Sequence, residues 1–318
     1  MMSLRSLWRA GSEAVPQRPS LVPVDTDPLN ACVQLERWGA VAGDPELWRG
    51  HPNFDHVYNE ALAAIDNAFA LVPEGFVALA STINDAPGTK EVDVDTDPFL
   101  MARVCVTNEQ FQKFVDAGGY GDLELWPEEI WPHLIGFKDQ TDQPAPRYWR
   151  KARFQAGLAS HPVVGLSWYE ASAYSQWVGF RLPTEAEWQM AASWRIRSSA
   201  HGLRAYPWGH SYDRKRCNVW NSEVHHTVDV NAYSEGAAPN GVLQLIGNVW
   251  EWTSSDLEIT DESGRLIVGD MLMKGVRGGA FDTYFAAQAT SQFRSGLPCL
   301  ARAANTGFRL AMDVATVG

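Results

Sequence analysis

The sequence predicts an α+β fold with few helices, short strands and long ordered loops. Helical patterns are confined to a few segments that carry capping signals, and turn residues separate the remaining short apolar runs. The 14 Trp residues among 318 indicate an interior built from aromatic rings as much as from aliphatic layers. With 45% hydrophobic residues, a chain of this length can bury a large core without disulfides or metals.

The helix signals fall in four places. Residues 54–65 repeat apolar side chains with a helical period. Thr107 and Thr184 are each followed three positions later by Gln or Glu, which is the spacing of a capping box. Ser167 is a hydroxyl residue in front of an apolar pattern and begins the remaining helix.

Short apolar runs bounded by turn residues predict the strands. The first three are residues 76–80, 99–106 and 163–166. Two later runs, 243–246 and 272–276, are predicted to pair with each other.

Composition divides the chain into an N-terminal extension, residues 1–70, and a main domain, residues 71–318. Four prolines favour an extended start of the first part: Pro16, Pro19, Pro23 and Pro28. The extension either packs on the main domain or serves as a partner-binding arm. Residues 84–90 form a turn-rich loop in the second part.

The net charge of −12 argues against nucleic acid and against anionic membranes as partners. A local basic patch remains compatible with that total, because net charge says nothing about distribution.

The cysteines are widely spaced and form no CxxC pair, which is typical of free thiols in a reducing compartment. They are Cys32, Cys105, Cys217 and Cys299. No apolar run has the length of a signal peptide or a membrane span, so we expect a cytoplasmic protein.

Two glycine-containing segments near the C-terminus, 276–281 and 306–311, have the pattern of rigid anchors. Between them lie residues 282–305, which the sequence predicts to be irregular and which we call the display segment; with its two anchors it spans residues 276–311. Such an arrangement can present side chains without disturbing a core.

Six ordered motifs between about residue 72 and residue 312 resemble those of the formylglycine-generating-enzyme superfamily. They are Pro162 to Ala171, Arg181 to Trp188, Tyr206 to Gly209, Gly247 to Thr253, Arg277 to Gly279 and Gly307 to Arg309. The resemblance implies a variant of the C-type lectin fold. Within it, we expect Arg181, Glu185 and Glu251 to form buried ion pairs that brace the loops.

The oxidases of that superfamily bind copper through two cysteines near the C-terminus. Counted back without gaps from the Gly-Phe-Arg motif, those positions fall on Ser291 and Ala286. Neither side chain replaces a thiolate, the soft ligand that suits Cu(I). The resemblance therefore disfavours formylglycine generation, although Cys299 keeps a chemical alternative open.

The sulfoxide synthases of the superfamily bind non-haem iron through three histidines, largely from an attached helical domain. The sequence offers only scattered histidines, among them His51, His56 and the pair His225-His226. A non-haem iron or copper oxidase is therefore the alternative function.

Some relatives bind calcium beside the Gly-Asn-x-Trp-Glu motif. Transferred by motif, that site would use Gln244, Gly247, Val249 and Glu251. These groups supply the oxygen ligands that calcium prefers, so calcium is a candidate ion although no cofactor is required.

Members without the catalytic cysteines include the variable proteins of diversity-generating retroelements, whose C-terminal segment between the same two anchors binds ligand. The resemblance favours a non-catalytic protein that binds a protein or other macromolecule through the display segment. Aromatic anchors and polar contacts in it are the expected binding residues. They are Asp282, Thr283, Tyr284, Phe285, Gln288, Ser291, Gln292, Phe293, Leu297, Cys299, Ala303 and Asn305.

Overall fold

The computed structural model describes residues 25–80, 91–194, 204–257 and 272–314. The predicted loop at 84–90 and the first three prolines of the extension lie outside these ranges. Within them, the helices are α1 (Pro28–Gln34), α2 (Trp38–Ala42), α3 (Pro45–Trp48), α4 (Phe54–Ala68), α5 (Asn108–Asp116), α6 (Trp131–Leu134), α7 (Trp168–Trp177) and α8 (Glu185–Ser193). The strands are β1 (Phe69–Val72), β2 (Gly75–Ala80), β3 (Glu91–Thr96), β4 (Phe99–Ala102), β5 (Trp250–Asp256), β6 (Met273–Arg277), β7 (Ser295–Pro298), β8 (Thr306–Phe308) and β9 (Ala311–Asp313).

Three small sheets organise these strands. The largest has the order β7-β6-β5-β8, with β5 antiparallel to β6 and parallel to β8. The others are the antiparallel sheet β1-β4-β9 and the hairpin β2-β3. Short strands, few helices and long loops confirm the predicted α+β class.

Side-chain caps fix the starts of three central helices as the sequence indicates. Thr107 accepts from the backbone N–H of Gln110, and the Gln110 side chain accepts from the N–H of Thr107, which closes a capping box before α5. Equivalent reciprocal bonds precede α7, at Ser167, and α8, at Thr184.

Some strand predictions are wrong, because left-handed backbone interrupts the runs. Residues 163–166 form no strand, since Gly165 has φ +77°. Residues 243–246 likewise do not pair with β6, since Gln244 has φ +53°. The predicted strand 99–106 ends at Ala102, where the next backbone N–H, that of Arg103, bonds to the carbonyl of Ala68 (2.8 Å).

The core is aromatic, as the tryptophan content predicts. Phe111 is fully buried and stacks on Tyr174 with 5.2 Å between ring centroids. It also meets Phe114 and Phe308 edge-on, at 5.3 and 6.3 Å. Offset and edge-to-face rings gain more than their buried area alone provides.

One ion pair is fully enclosed beside this core. Both oxygens of Glu251 accept from the Arg309 guanidinium, at 2.5 and 2.6 Å, and Trp188 Nε1 donates to the same carboxylate at 2.8 Å. Burial alone would lower the pKa of Arg309, but Glu251 raises it above its ordinary value, so the guanidinium stays charged.

Arg181 and Glu185 also form ion pairs, as expected, but only that of Glu185 is buried. Arg181 binds Glu187 and Asp313 and is a third exposed rather than buried. Glu185 is enclosed and pairs with Arg294 at 2.5 Å.

The helical part of the extension is packed on the main domain. Arg37 donates to the carbonyl of Trp177 (2.7 Å), and the N–H of Ala40 donates to that of Val178 (3.0 Å). Pro28, expected in extended chain, instead begins α1, where its fixed φ suits the first helical turn. The proposed boundary near residue 70 stays a prediction.

Helix α2 touches α7's C-terminal turn through a contact that only glycine allows. A Cβ on Gly39 would lie 2.6 Å from the carbonyl oxygens of Val178 and Gly179. We therefore expect Gly39→Ala to loosen this docking and to speed proteolysis within residues 25–68, although alanine favours helix. Gly50→Ala is the matched control, because its Cβ would meet nothing within 4 Å. Equal cleavage rates for the two variants would contradict the docked arrangement.

The enclosed pair gives a second prediction. Glu251→Gln leaves the Arg309 charge buried without a counter-charge, so the free energy of unfolding in urea should fall by about 3 to 5 kcal/mol. The control Glu46→Gln breaks an exposed pair with Arg49, which should cost less than about 1 kcal/mol. A similar small loss in both variants would show that the enclosed pair is not a stabilising element.

Candidate functional site

The two anchors hold the display segment on opposite sides of one strand. β6 precedes the display segment in the chain, β8 follows it, and both strands pair with β5. After β6, Gly278 and Gly279 turn the chain with φ of +100° and +77°. A Cβ on Gly278 would approach the Leu245 carbonyl oxygen to 2.7 Å, so this turn requires glycine.

The display segment is more regular than the sequence predicts. Residues Ser295–Pro298 form β7, which continues the central sheet by pairing with β6. The prediction of an irregular segment is therefore wrong for residues 295–298. Their sequence, Ser-Gly-Leu-Pro, gives no strand signal, and pairing with β6 supplies what local preference lacks.

Three of the predicted binding residues point into the interior. Thr283 Oγ1 accepts from the N–H of Ala280 (2.8 Å), and the Ser291 hydroxyl donates to the carbonyl of Arg204 (2.5 Å). Cys299 is buried as well, with its sulfur 3.8 Å from the Tyr169 hydroxyl. In this arrangement these side chains support the segment rather than face a ligand.

Two predicted aromatic anchors lie on the surface. Tyr284 is 71% exposed and Phe285 is 65% exposed, and their rings meet edge-on at 5.4 Å. Trp220, 44% exposed, lies 6.2 Å from Tyr284 and 4.4 Å from His225. We call these four residues the aromatic patch.

Sequence reasoning missed the contribution of Trp220. Its loop is distant in the chain, and only a backbone bond from Trp220 N–H to the Thr283 carbonyl (3.2 Å) brings the two together. The nearby His225-His226 pair marked a loop but gave no indication of what that loop packs against.

The other predicted residues are at or near the surface. Asp282 is exposed and accepts both bonds of the Asn305 amide, at 3.0 Å each. Phe293 is half-buried against Trp250, with 6.1 Å between ring centroids. The remaining four are also partly buried: Gln288, Gln292, Leu297 and Ala303. The binding role of all these residues stays a prediction.

The residues at the copper positions do not fit that ion. Ala286 offers a methyl group on the surface, and Ser291 offers a hydroxyl that is already bonded and buried. All four cysteines are free and buried. Burial raises the pKa of Cys32 and Cys105, and it raises that of Cys217 to about 12.

The histidines of the described residues are dispersed. His51 pairs with Asp27 (2.8 Å) and His56 faces Glu60 (3.6 Å), both in the extension. His226 bonds to the Thr227 carbonyl at 2.7 Å, beside the aromatic patch. Within the described ranges, His, Cys, Asp and Glu side chains form no group of three that could hold a metal ion.

The candidate calcium residues are engaged with protein partners. Gln244 donates to the carbonyls of Asp229 and Ala232, at 2.8 and 2.9 Å, and its Oε1 accepts from Asn248. Glu251 binds Arg309 with both oxygens. Calcium would have to compete with that guanidinium, so these contacts disfavour calcium binding. The calcium site stays a prediction.

The burial of the thiols gives a prediction. The thiolate is the reactive form. A raised pKa keeps the thiols of Cys32, Cys105 and Cys217 protonated at neutral pH, and burial shields the sulfur of Cys299. We expect no native thiol to react with Ellman's reagent at pH 8 on the time scale of minutes, and all four to react in guanidinium. Rapid reaction of one native thiol, lost in Cys299→Ser, would instead reveal an accessible sulfur centre.

Along the described ranges, no helix is both long and apolar enough to cross a membrane. The predictions of a cytoplasmic location and of no nucleic-acid partner stay predictions.

Comparison with known proteins identifies a family and a relative that match most of this chain. Residues 59–314 match the family described as the sulfatase-modifying factor enzyme 1-like domain. The formylglycine-generating enzyme of Thermomonospora curvata is 32% identical over 310 residues, which cover 82% of this chain and 99% of that protein.

Two further matches cover different fractions of this chain and of the matched proteins. The hercynine oxygenase of Mycobacterium tuberculosis is 37% identical over 172 residues, which are 52% of this chain and 39% of that longer relative. The chain therefore matches well under half of that protein. The structure of Treponema denticola variable protein 1 superposes with a TM-score of 0.53 at 16% identity, over 77% of this chain and 95% of that one. These matches confirm the predicted resemblance and the C-type lectin-like fold.

Proposed function

The chain belongs to the family of sulfatase-modifying factor enzyme 1-like domains, and on that premise we propose that it is a non-catalytic recognition protein. Its ligand is a protein, bound through the aromatic patch and the exposed part of the display segment. The observation that carries this proposal is the exposure of three adjacent aromatic rings, Trp220, Tyr284 and Phe285.

Leaving adjacent aromatic rings in contact with water lowers the stability of a folded protein. Each ring forgoes the burial that would otherwise stabilise the fold, and contiguous exposed apolar patches typically mark interaction sites. Tyr and Trp are also the residues that most often dominate binding energy at protein interfaces, because they bury large area at little entropic cost.

The patch is held in place before any ligand arrives. Thr283 and Ser291 bond inward on either side of the rings, and Gly278 and Gly279 fix the entry turn. Arg277 is fully buried, which lowers its pKa to about 10, and it donates to the Ser291 carbonyl at 3.0 Å. A preorganised surface loses less conformational entropy on binding.

The chemistry of the segment supports recognition over thiol-based oxidation. The positions that would carry copper thiolates hold Ala286 and Ser291, and Cys299 is enclosed. The residues that remain accessible, such as Asp282 and Tyr284, are suited to polar and aromatic contact.

Removing the three rings tests the proposal. The variant Trp220→Ala/Tyr284→Ala/Phe285→Ala should retain its thermal midpoint within a few degrees yet lose partner capture by at least about thirtyfold, as expected for aromatic hot spots. The measurement is affinity purification from lysate of the producing cells, quantified by mass spectrometry.

The matched control removes three equally exposed apolar side chains elsewhere, by Leu47→Ala/Leu123→Ala/Ile135→Ala. It should capture the same partner as the unaltered chain. Undiminished capture by the aromatic variant would refute the proposed surface.

An oxidase is the second candidate, favoured by the match over nearly the whole length of a formylglycine-generating enzyme. Anaerobic addition of Cu(I) or Fe(II) followed by metal analysis distinguishes the two functions. Stoichiometric retention of either metal, together with oxygen uptake in the presence of a cysteine peptide, would replace recognition by catalysis.

The finer assignment we propose is a variable protein of a diversity-generating retroelement. Its support is architectural: the display segment lies between the two anchors, as the resemblance implies for that group. A neighbouring reverse-transcriptase gene and a near-copy of the 3′ coding end that differs at adenines would support it. A locus without them would remove this assignment and leave the recognition function intact.

A further inference from the structure

A second exposed feature borders the display segment. Arg147, Tyr148, Arg150 and Lys151 form what we call the basic loop, and all four are exposed. Within the described part of the chain, none of its three cations forms an ion pair with a carboxylate. Three cations without a carboxylate partner therefore lie within five residues, although the chain has 38 acidic and only 26 basic residues.

The backbone of the basic loop is fixed in a strained shape. Lys151 and the next residue, Ala152, both have φ +55°, a conformation that non-glycine residues adopt at a cost of about 1 kcal/mol or more. Asp139 offsets that strain. Its carboxylate accepts from the N–H of Ala152 at 2.7 Å and from both the N–H and the hydroxyl of Thr141, at 2.6 and 2.8 Å.

Thr141 links Asp139 to the basic loop, because its hydroxyl oxygen accepts from the N–H of Lys151 at 2.6 Å. Burial alone would raise the pKa of Asp139, but its hydrogen-bond donors hold it below the ordinary value. The carboxylate is therefore ionised at neutral pH, and the loop presents its cations in a defined arrangement.

The basic loop is continuous with the display segment. The N–H of Arg147 bonds to the Gly165 carbonyl (2.7 Å), and the N–H of Gly165 bonds to that of Ala303 (2.9 Å). Arg302 spans the two by donating to the carbonyl of Ala145 at 2.6 Å. Its own charge is neutralised by Glu170 at 2.8 Å, so Arg302 adds no free positive charge to the loop.

We propose that the basic loop docks an acidic peptide segment of the partner, beside the residues that meet the aromatic patch. This inference rests on the proposed recognition function and names the chemistry of its ligand. Two arginines can each bind a carboxylate with two parallel hydrogen bonds, and lysine adds a point charge. A short acidic segment can contact the loop alone, whereas a long polyanion would also meet the repulsion of the net charge of −12.

The test uses a short fluorescein-labelled poly-L-glutamate peptide, no longer than is needed to contact the basic loop, and the full chain, with binding followed by fluorescence anisotropy. The variant Arg147→Ala/Arg150→Ala/Lys151→Ala should bind at least about tenfold more weakly than the unaltered chain. Added salt should weaken binding of the unaltered chain far more than that of the variant. The control Arg49→Ala/Arg214→Ala/Lys215→Ala changes the net charge equally on other loops and should bind as the unaltered chain does.

Several outcomes overturn the inference. These are equal poly-glutamate binding by the loop variant and its control, tighter binding of a single-stranded DNA of matched charge, or tighter binding of phosphatidylglycerol vesicles. The aromatic variant serves as a separate check. If the aromatic variant retains poly-glutamate binding but loses partner capture, both proposals stand. If it keeps partner capture, recognition through the aromatic patch is refuted. The basic loop is then tested by the comparison of the loop variant with its control.

Discussion

The enclosed pair of Glu251 and Arg309 is the constraint on which the rest of the structure depends. It joins β5 to the chain that follows β8, and Trp188 ties α8 to the same carboxylate. In a fold whose sheets have two to four short strands, backbone ladders alone leave many loops unsupported. Charged groups taken out of water are costly unless each is paired and hydrogen-bonded, so satisfying them permits few alternative arrangements.

The same principle extends to the display segment. Glu185 is shared by Arg294 of the display segment and Arg277 of β6, at 2.5 and 3.5 Å. Glu170 receives Arg302, near the end of the segment. Both carboxylates lie on helices whose starts are fixed by capping boxes, so helix positions are transmitted to the segment through ion pairs. With the interior fixed in this way, the aromatic rings and the basic loop can remain exposed without loss of order.

Much of the architecture was predictable from local signals. Helices α5, α7 and α8 begin at the hydroxyl residues that cap them, because a cap requires only residues within one turn. Gly278 and Gly279 were recognised because few other residues tolerate their conformation. The wrong strand predictions have a common cause. Residues 163–166 and 243–246 have the composition of strands, yet their hydrogen bonds go to distant, irregular segments that no local pattern specifies. β7 is the converse case, since its partner strand imposes a conformation that its composition does not favour.

The sequence by itself determined the class of fold and the anchors of the display segment, since each depends on residue identity in a local pattern. Only the tertiary structure decided which parts of the segment face water. It turned Ser291 and Cys299 inward, left Tyr284 exposed, and brought Trp220 and the basic loop beside the segment. The physical reason is that exposure and adjacency follow from contacts between residues far apart in the chain, which a one-dimensional pattern does not contain.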